Sequence, residues 1–251
     1  MELGILTFVL VGFIAQSIDG ALGMAYGVSS NAFLLGIGLP PALASASVHI
    51  AETFTTAVSG ISHWRFGNVR TDLFKRLIIP GVLGAVLGAY ILTNIDGNVV
   101  KPWIAGYLLI MGLMILWKSF RKIEPKETTG AQVSVLGGVG GLCDAIGGGG
   151  WGPIVTSTLV ARGDHPRYTI GSVNSSEFFI TFSQSIVFLL SLSSELLSNW
   201  QIIVGLLVGG MLAAPLAAHV TRRLPVRILM PLVGALVVFL NLRTLYLTFF
   251  G

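Results

Sequence analysis

Asp19-Gly20-Ala21-Leu22-Gly23-Met24-Ala25-Tyr26-Gly27 returns later in the chain, altered but in register, as Asp144-Ala145-Ile146-Gly147-Gly148-Gly149-Gly150-Trp151-Gly152. Each stretch separates two short apolar runs: 3–18 from 24–37, and 132–143 from 151–161. About 15 residues cover only ~22 Å at ~1.5 Å per residue, short of a ~30 Å hydrocarbon core. Each pair therefore predicts two half-helices meeting inside a membrane. Non-helical backbone is tolerated at that depth only where protein or water covers it.

The offset between the two stretches, 144 − 19 = 125, extends without a gap on both sides. It pairs Gly23 with Gly148, Gly27 with Gly152, Pro41 with Pro166, Ser47 with Ser172, Val48 with Val173, Glu52 with Glu177 and Phe54 with Phe179. From Gly12 to Ile61 there are thirteen identities in fifty positions, against roughly four by chance in such a composition. Low-complexity glycine does not explain a matched Asp, Pro and Glu, so the chain holds a duplication.

Further apolar runs at 41–62, 77–93 and 101–118 complete the first copy, and 168–191, 200–220 and 226–249 the second. The expected organisation is one all-α membrane domain over 1–251, with repeat 1 at 1–118, a linker at 119–131 and repeat 2 at 132–251. Whether each copy crosses five times or three, the number is odd, so the second copy starts on the opposite side and the repeats are inverted. The loop charges agree. Arg65, Arg70, Lys75, Arg76, Arg121, Lys122, Lys126, Arg162, Arg167, Arg222, Arg223 and Arg227 fall on one side; Asp96, Lys101 and Glu195 fall on the other. The positive-inside rule then puts both termini outside the cytoplasm.

Composition supports this. Hydrophobic residues make up 53% and charged residues 10%, where soluble domains carry about a quarter charged. Mean hydropathy is +0.84. The net charge of +4 comes from residues scattered through short loops, which fits an orientation signal and not a nucleic-acid surface. One cysteine, Cys143, rules out an intramolecular disulfide and a cysteine metal cluster. The N-terminal segment lacks a basic n-region, so the first run is expected to be retained.

Inverted repeats with interrupted helices point to a transport site at the bilayer midplane. The second half-helices, starting at Met24 and Trp151, would bring unpaired N–H groups and positive dipole ends to that depth, suited to an anion. Glycines merely packing helices together is the competing explanation. Asp19 and Asp144 sit beside these ends. They can cap the following helix, take up a proton or hold a coupling cation, and capping is the leading expectation. Glu52 and Glu177 lie about 10 residues, ~15 Å, into their runs, where a carboxyl is a functional candidate by default and a helix-bonding neutral group otherwise. His49, matched by Asn174, stands one turn before Glu52, so both can face one cavity. Ser47, Ser172, Ser175, Thr181 and Gln184 add donors.

Other chemistries are missing their residues. The glycine run lacks a following Gly-Lys-Ser/Thr, no His-Glu-x-x-His metal pair occurs, and no serine carries a nucleophile elbow with a histidine partner. Glycines 81, 84, 88, 205, 209 and 210 mark close-packing faces. Trp64, Trp103, Trp117 and Trp200 fall near run ends, as an aromatic belt requires.

The two-copy layout, the Asp-Gly-Ala-Leu-Gly-Met segment (19–24), Gly-Gly-Gly-Gly-Trp-Gly-Pro (147–153) and Gly-Ser-Val-Asn-Ser-Ser-Glu (171–177) resemble the TauE/SafE family, also called sulfite exporter or TSUP, over nearly the whole chain. The resemblance implies a bacterial-type inner-membrane permease, not an enzyme, that exports sulfite, sulfoacetate or another organosulfonate. Expected substrate contacts are Gly23, Met24, Ala25, Tyr26, Gly149, Gly150, Trp151 and Gly152, flanked by His49, Asn174, Ser175 and Gln184. Glu52, Glu177, Asp19 and Asp144 are the proton-coupling candidates. Alternatives are an anion channel and a carrier of a different small carboxylate or anion. No cofactor, metal or nucleic acid is expected; the partners are the small anion and the lipid bilayer, with a homodimer left open. The copies differ, Met-Ala-Tyr-Gly standing for Gly-Gly-Trp-Gly and His49 for Asn174, so an asymmetric cavity is expected.

Overall fold

The computed structural model describes residues 4–22, 24–120, 130–162, 164–220 and 226–250. Gly23, the linker basics Arg121, Lys122 and Lys126, and Arg222 and Arg223 lie outside the described residues. Every regular element among the described residues is helical: α1 (Ile5–Leu22), α2 (Tyr26–Gly36), α3 (Pro41–Arg65), α4 (Thr71–Asn94) and α5 (Gly97–Ser119) come first. Then follow α6 (Gly130–Gly147), a π-helical turn (Trp151–Thr156) running into α7 (Ser157–Ala161), α8 (Pro166–Ser191), the short α9 (Ser193–Ser198), α10 (Trp200–Val220) and α11 (Val226–Phe250).

The element boundaries keep the 125-residue offset. α1 and α6 begin at 5 and 130 and end at 22 and 147; α2 and the π-turn begin at 26 and 151; α3 and α8 begin at Pro41 and Pro166. A proline suits the first helical turn because its missing N–H has no intrahelical partner there. The copies part after the third element, where α9 precedes α10 and nothing comparable precedes α4.

Two details differ from the reading of the sequence. α1 and α6 each hold 18 residues, so each is about 27 Å long, and both run through Asp19 and Asp144, which the sequence placed in the connecting segments. An acid in the last turn does not break a helix when one of its oxygens accepts N–H groups that follow, as Asp19 does from Tyr26 and Asp144 from Gly150 and Trp151. Among the described residues the interruptions therefore shrink to 24–25 and 148–150.

The helices pair across the copies and reciprocally. α1 lies along α10 and α6 along α4; α3 lies along α8 and α5 along α11. Counterpart residues meet where like helices cross. Thr56 Oγ1 lies 3.4 Å from Thr181 Oγ1, and a Cβ on Gly112 would stand 3.0 Å from Val237. The crossings of first and fourth helices use small residues to bring backbones together. A Cβ on Gly84 would fall 2.1 Å from the carbonyl oxygen of Gly138, and one on its counterpart Gly209 would fall 2.0 Å from that of Val9.

Thr71–Asn94, Gly97–Trp117 and Tyr168–Ser191 are long and apolar enough to cross a membrane, with shorter apolar stretches at Ile5–Asp19, Trp200–Ala214 and Gly234–Phe250. Large apolar side chains such as Leu6, Leu83, Trp103, Leu190, Phe239 and Phe250 are exposed, as on a surface solvated by lipid. Trp64, Trp103, Trp117 and Trp200 are all exposed, while Trp151 is fully buried.

Gly84→Ala should lower the stability of the detergent-solubilised protein by about 1–3 kcal/mol, because its methyl meets backbone that cannot yield locally. Gly106→Ala, with nothing within 4 Å of its new methyl, should be neutral or stabilise by up to about 1 kcal/mol. Thermal unfolding of the two variants side by side checks the crossing.

Candidate functional site

The two interruptions come together backbone against backbone. A Cβ on Gly27 would lie 2.7 Å from Gly149 Cα, and one on Gly149 would lie 2.2 Å from the Val28 nitrogen. Gly148 (φ +66) and Gly149 (φ +155) hold conformations that L side chains rarely adopt. Asn31, on the same short helix, ties the junction by donating from Nδ2 to the Gly147 carbonyl at 2.6 Å, at the end of α6, where helical carbonyls lack intrahelical donors. Both breaks are covered by protein: Ala25, Gly27, Val28 and Gly148–Gly150 are buried. In the first break Ala25 takes φ 137, ψ −5, a backbone strain of about 1–3 kcal/mol for a non-glycine residue.

Both aspartates turn back onto the segment that follows them. Asp144 Oδ1 accepts the N–H groups of Gly150 at 2.8 Å and Trp151 at 3.0 Å. Asp19 Oδ1 accepts that of Tyr26 at 3.4 Å. These are caps in function, each a carboxyl placed where a helix start presents spare donors. The second is much better satisfied, since Asp144 Oδ2 also takes Gln184 Nε2 at 2.9 Å and stands 3.1 Å from His49 Nε2. Asp144 thereby joins α6, the π-turn, α3 and α8.

His49 is held at both ring nitrogens. Its Nδ1 lies 2.8 Å from the Ser45 carbonyl oxygen and 3.2 Å from Ser45 Oγ, and its Nε2 faces Asp144 Oδ2 at 3.1 Å. Ser45 Oγ also donates to the Ala145 carbonyl at 2.6 Å. The imidazole ring stacks on Phe188 with centroids 6.2 Å apart, which holds its plane.

Glu52 and Glu177 occupy the middle of α3 and α8, 5% and 8% exposed. Among the described residues neither carboxyl has a hydrogen-bond partner; Glu52 Oε2 comes only within 4.0 Å of His49 Nε2. What they face is a small cavity, lined by Asp19, Met24, Ala25, Gly27, Val28, Glu52, Asp144, Gly149, Gly150, Gly152, Pro153 and Glu177. The first-turn N–H groups of Val28 and Gly152 have no helical acceptor, and both residues line this space.

Charge in the cavity is one-sided: among the described residues four carboxyls line it and no lysine or arginine does. Two ionised carboxylates at ~7 Å repel by roughly 2 kcal/mol even at an effective dielectric of ~20. Four uncompensated charges would not be held there together.

Of the residues singled out in the sequence, the cavity thus gathers Met24, Ala25, Gly149, Gly150 and Gly152 with all four acids. It does not gather six others. Tyr26 is buried with its hydroxyl donating to the Leu206 carbonyl at 3.1 Å, and the Trp151 ring donates to the Val173 carbonyl at 3.2 Å. His49 and Gln184 stand behind Asp144. Asn174 lies 3.4 Å from Ser59 Oγ, and Ser175 is bonded back to the Gly171 carbonyl at 2.7 Å. Val28, Pro153 and the clamp Asn31 were missed by sequence reading. For Asn31 a signal existed, a lone amide in a short apolar helix one turn past the break.

Sulfite exporter TauE/SafE is the family whose model matches this chain, over residues 8–244. A relative from Bacillus subtilis (strain 168), named "Probable membrane transporter protein YtnM", is 43% identical over 248 residues, covering 96% of this chain and 82% of its own. No solved structure matches the chain.

His49→Ala leaves Asp144 buried without its imidazole partner and should cost about 3–5 kcal/mol. Adding Asp144→Asn should restore part of that loss, giving a coupling of at least about 1 kcal/mol in a double-mutant cycle. Unfolding in detergent of the two single variants and the double variant measures it; additive losses would mean that the two residues act independently.

Proposed function

The chain belongs to the TauE/SafE family of sulfite exporters, and we propose that it is a secondary transporter that carries a small sulfur-containing anion, such as sulfite, sulfoacetate or another organosulfonate, by alternating access. It is a membrane transporter of the TauE/SafE type; the substrate and the mechanism are our inference. The observation that carries it is the small buried cavity at the meeting of two helix interruptions. Discontinuous helices from two repeats meeting at one site are the architecture by which transporters offer backbone groups to a charged solute.

In this reading the solute lies against Met24, Ala25, Val28, Gly149, Gly150 and Gly152. The glycines leave room beside the main chain, and the Val28 N–H, in the first turn of the 11-residue α2, donates toward the anion with the helix dipole behind it. Asp19, Glu52, Asp144 and Glu177 are the groups through which proton coupling would act. The two copies are inverted, related by an axis in the membrane plane, and rocking of one against the other alternates access. The reciprocal pairing of α1 with α10 and α6 with α4 supports this, because each copy is braced by the other. The protein sits in the inner membrane with its basic loops cytoplasmic and both termini outside, catalyses no covalent chemistry, and is compatible with a homodimer.

Purified protein in proteoliposomes should take up labelled sulfite or sulfoacetate saturably, respond to a pH gradient, and discriminate against sulfate and acetate. Gly149→Ala, whose methyl would collide with Gly27 and Val28, should abolish the uptake. Linear flux without saturation would make the protein a channel. Failure to move any of these anions would remove the substrate assignment.

A further inference from the structure

We propose that the anion occupies the cavity only together with protons bound on Glu52 and Glu177, so that anion and proton cross in the same direction. This rests on the anion reading above and adds the coupling partner, its residues and its sign.

Electrostatic balance comes first. Among the described residues, four carboxyls line the cavity, and no lysine or arginine does. The nearest base is His49, which stands behind Asp144 with its Nε2 3.1 Å from Oδ2. It is turned to that acid and does not line the cavity. The other titratable groups around the cavity are Tyr26 from α2, Tyr107 from α5 and Cys143 from α6, none of them cationic. Tyr26 gives its hydroxyl hydrogen to the Leu206 carbonyl, and the Tyr107 hydroxyl lies 3.4 Å from that of Gly149. An anion entering this space therefore needs incoming positive charge. A proton taken up by a cavity carboxyl supplies that charge at a residue already in place.

The division of labour among the acids follows from their partners. Asp144 is bonded by backbone, glutamine and histidine donors, and Asp19 is turned onto the Tyr26 N–H. Glu52 and Glu177 are different: more than nine-tenths buried, open to the cavity and without a hydrogen-bond partner among the described residues. They are also each other's counterparts at the 125-residue offset, one per copy. Each can exchange a proton with the cavity without dismantling a helix start.

Binding and protonation then reinforce one another. A proton on either glutamate removes repulsion toward the anion, and by reciprocity the anion tightens the proton by the same factor. Two ligands that favour each other in one cavity travel as co-passengers, so net flow follows the sum of the anion and proton gradients. With protons driven inward the coupling favours uptake, and outward flow requires an anion gradient that exceeds it.

The test uses the purified full-length protein in weakly buffered detergent solution, with sulfoacetate as probe because its charge does not change between about pH 6 and 8. Adding sulfoacetate should draw protons from solution, and its apparent Kd should rise up to about tenfold per pH unit for each proton coupled. In the double variant Glu52→Gln with Glu177→Gln, proton uptake should vanish, and at pH 8 it should bind sulfoacetate more tightly than the unaltered protein. A structural role for the glutamates would not produce that gain. Sulfoacetate binding with no proton uptake and a flat pH dependence, or with proton release, overturns the proposal and leaves the anion reading standing. Absence of binding at every pH, for sulfite as well, removes the anion reading itself and this proposal with it.

Discussion

Everything in this molecule is arranged around two pieces of main chain that touch with no side chain between them. Gly27 and Gly149 approach so closely that a methyl on either would enter the other's backbone. Such a contact needs each chain to be interrupted there, and interrupted backbone within lipid needs cover. The cover is supplied reciprocally: α10 braces α1 and α4 braces α6, through glycine crossings that bring the supporting helices near enough. Asn31 joins the junction by donating to the last carbonyl of α6. The cavity is the small space left beside this contact, and its size follows from the closeness of the approach.

The two copies have diverged in how firmly they hold their interruptions. In the second copy Asp144 is satisfied by donors from the π-turn, α3 and α8, and glycine supplies the unusual backbone angles. In the first copy Asp19 has, among the described residues, one long contact, and a positive φ falls on Ala25, which bears strain. At the position matching His49, Asn174 turns to Ser59. One half of the site is fastened and the other lightly held. An interruption with few bonds and stored strain is the cheaper one to rearrange.

Much of the architecture was legible in the sequence because it rests on periodic and compositional constraints. A matched Asp, Pro and Glu at one offset revealed the duplication, and Pro41 and Pro166 marked two helix starts to the residue. The tryptophans at run ends stand exposed, and the glycines at 84 and 209 form the crossings expected of them. Helix ends were less legible. Hydrophobicity stops at the aspartates, but the helices continue through them, because capping N–H groups several residues later make those acids tolerable. Candidate contacts divided the same way: small residues at the breaks line the cavity, whereas Tyr26, Trp151, Asn174 and Ser175 spend their polar atoms on backbone or on neighbouring helices.

By itself the sequence determined that this chain is helical, bound for lipid, duplicated, and broken twice at equivalent places, because hydrophobic run length, charge distribution and self-similarity are properties of the chain alone. Tertiary structure decided which polar groups remain unsatisfied. Glu52 and His49 look alike as buried polar residues one turn apart, yet the histidine is committed to Ser45 and Asp144 while the glutamate opens onto the cavity. That difference arises from donors and acceptors on α6 and α8, about a hundred residues away in sequence. Hydrogen bonding between distant segments exists only once they pack.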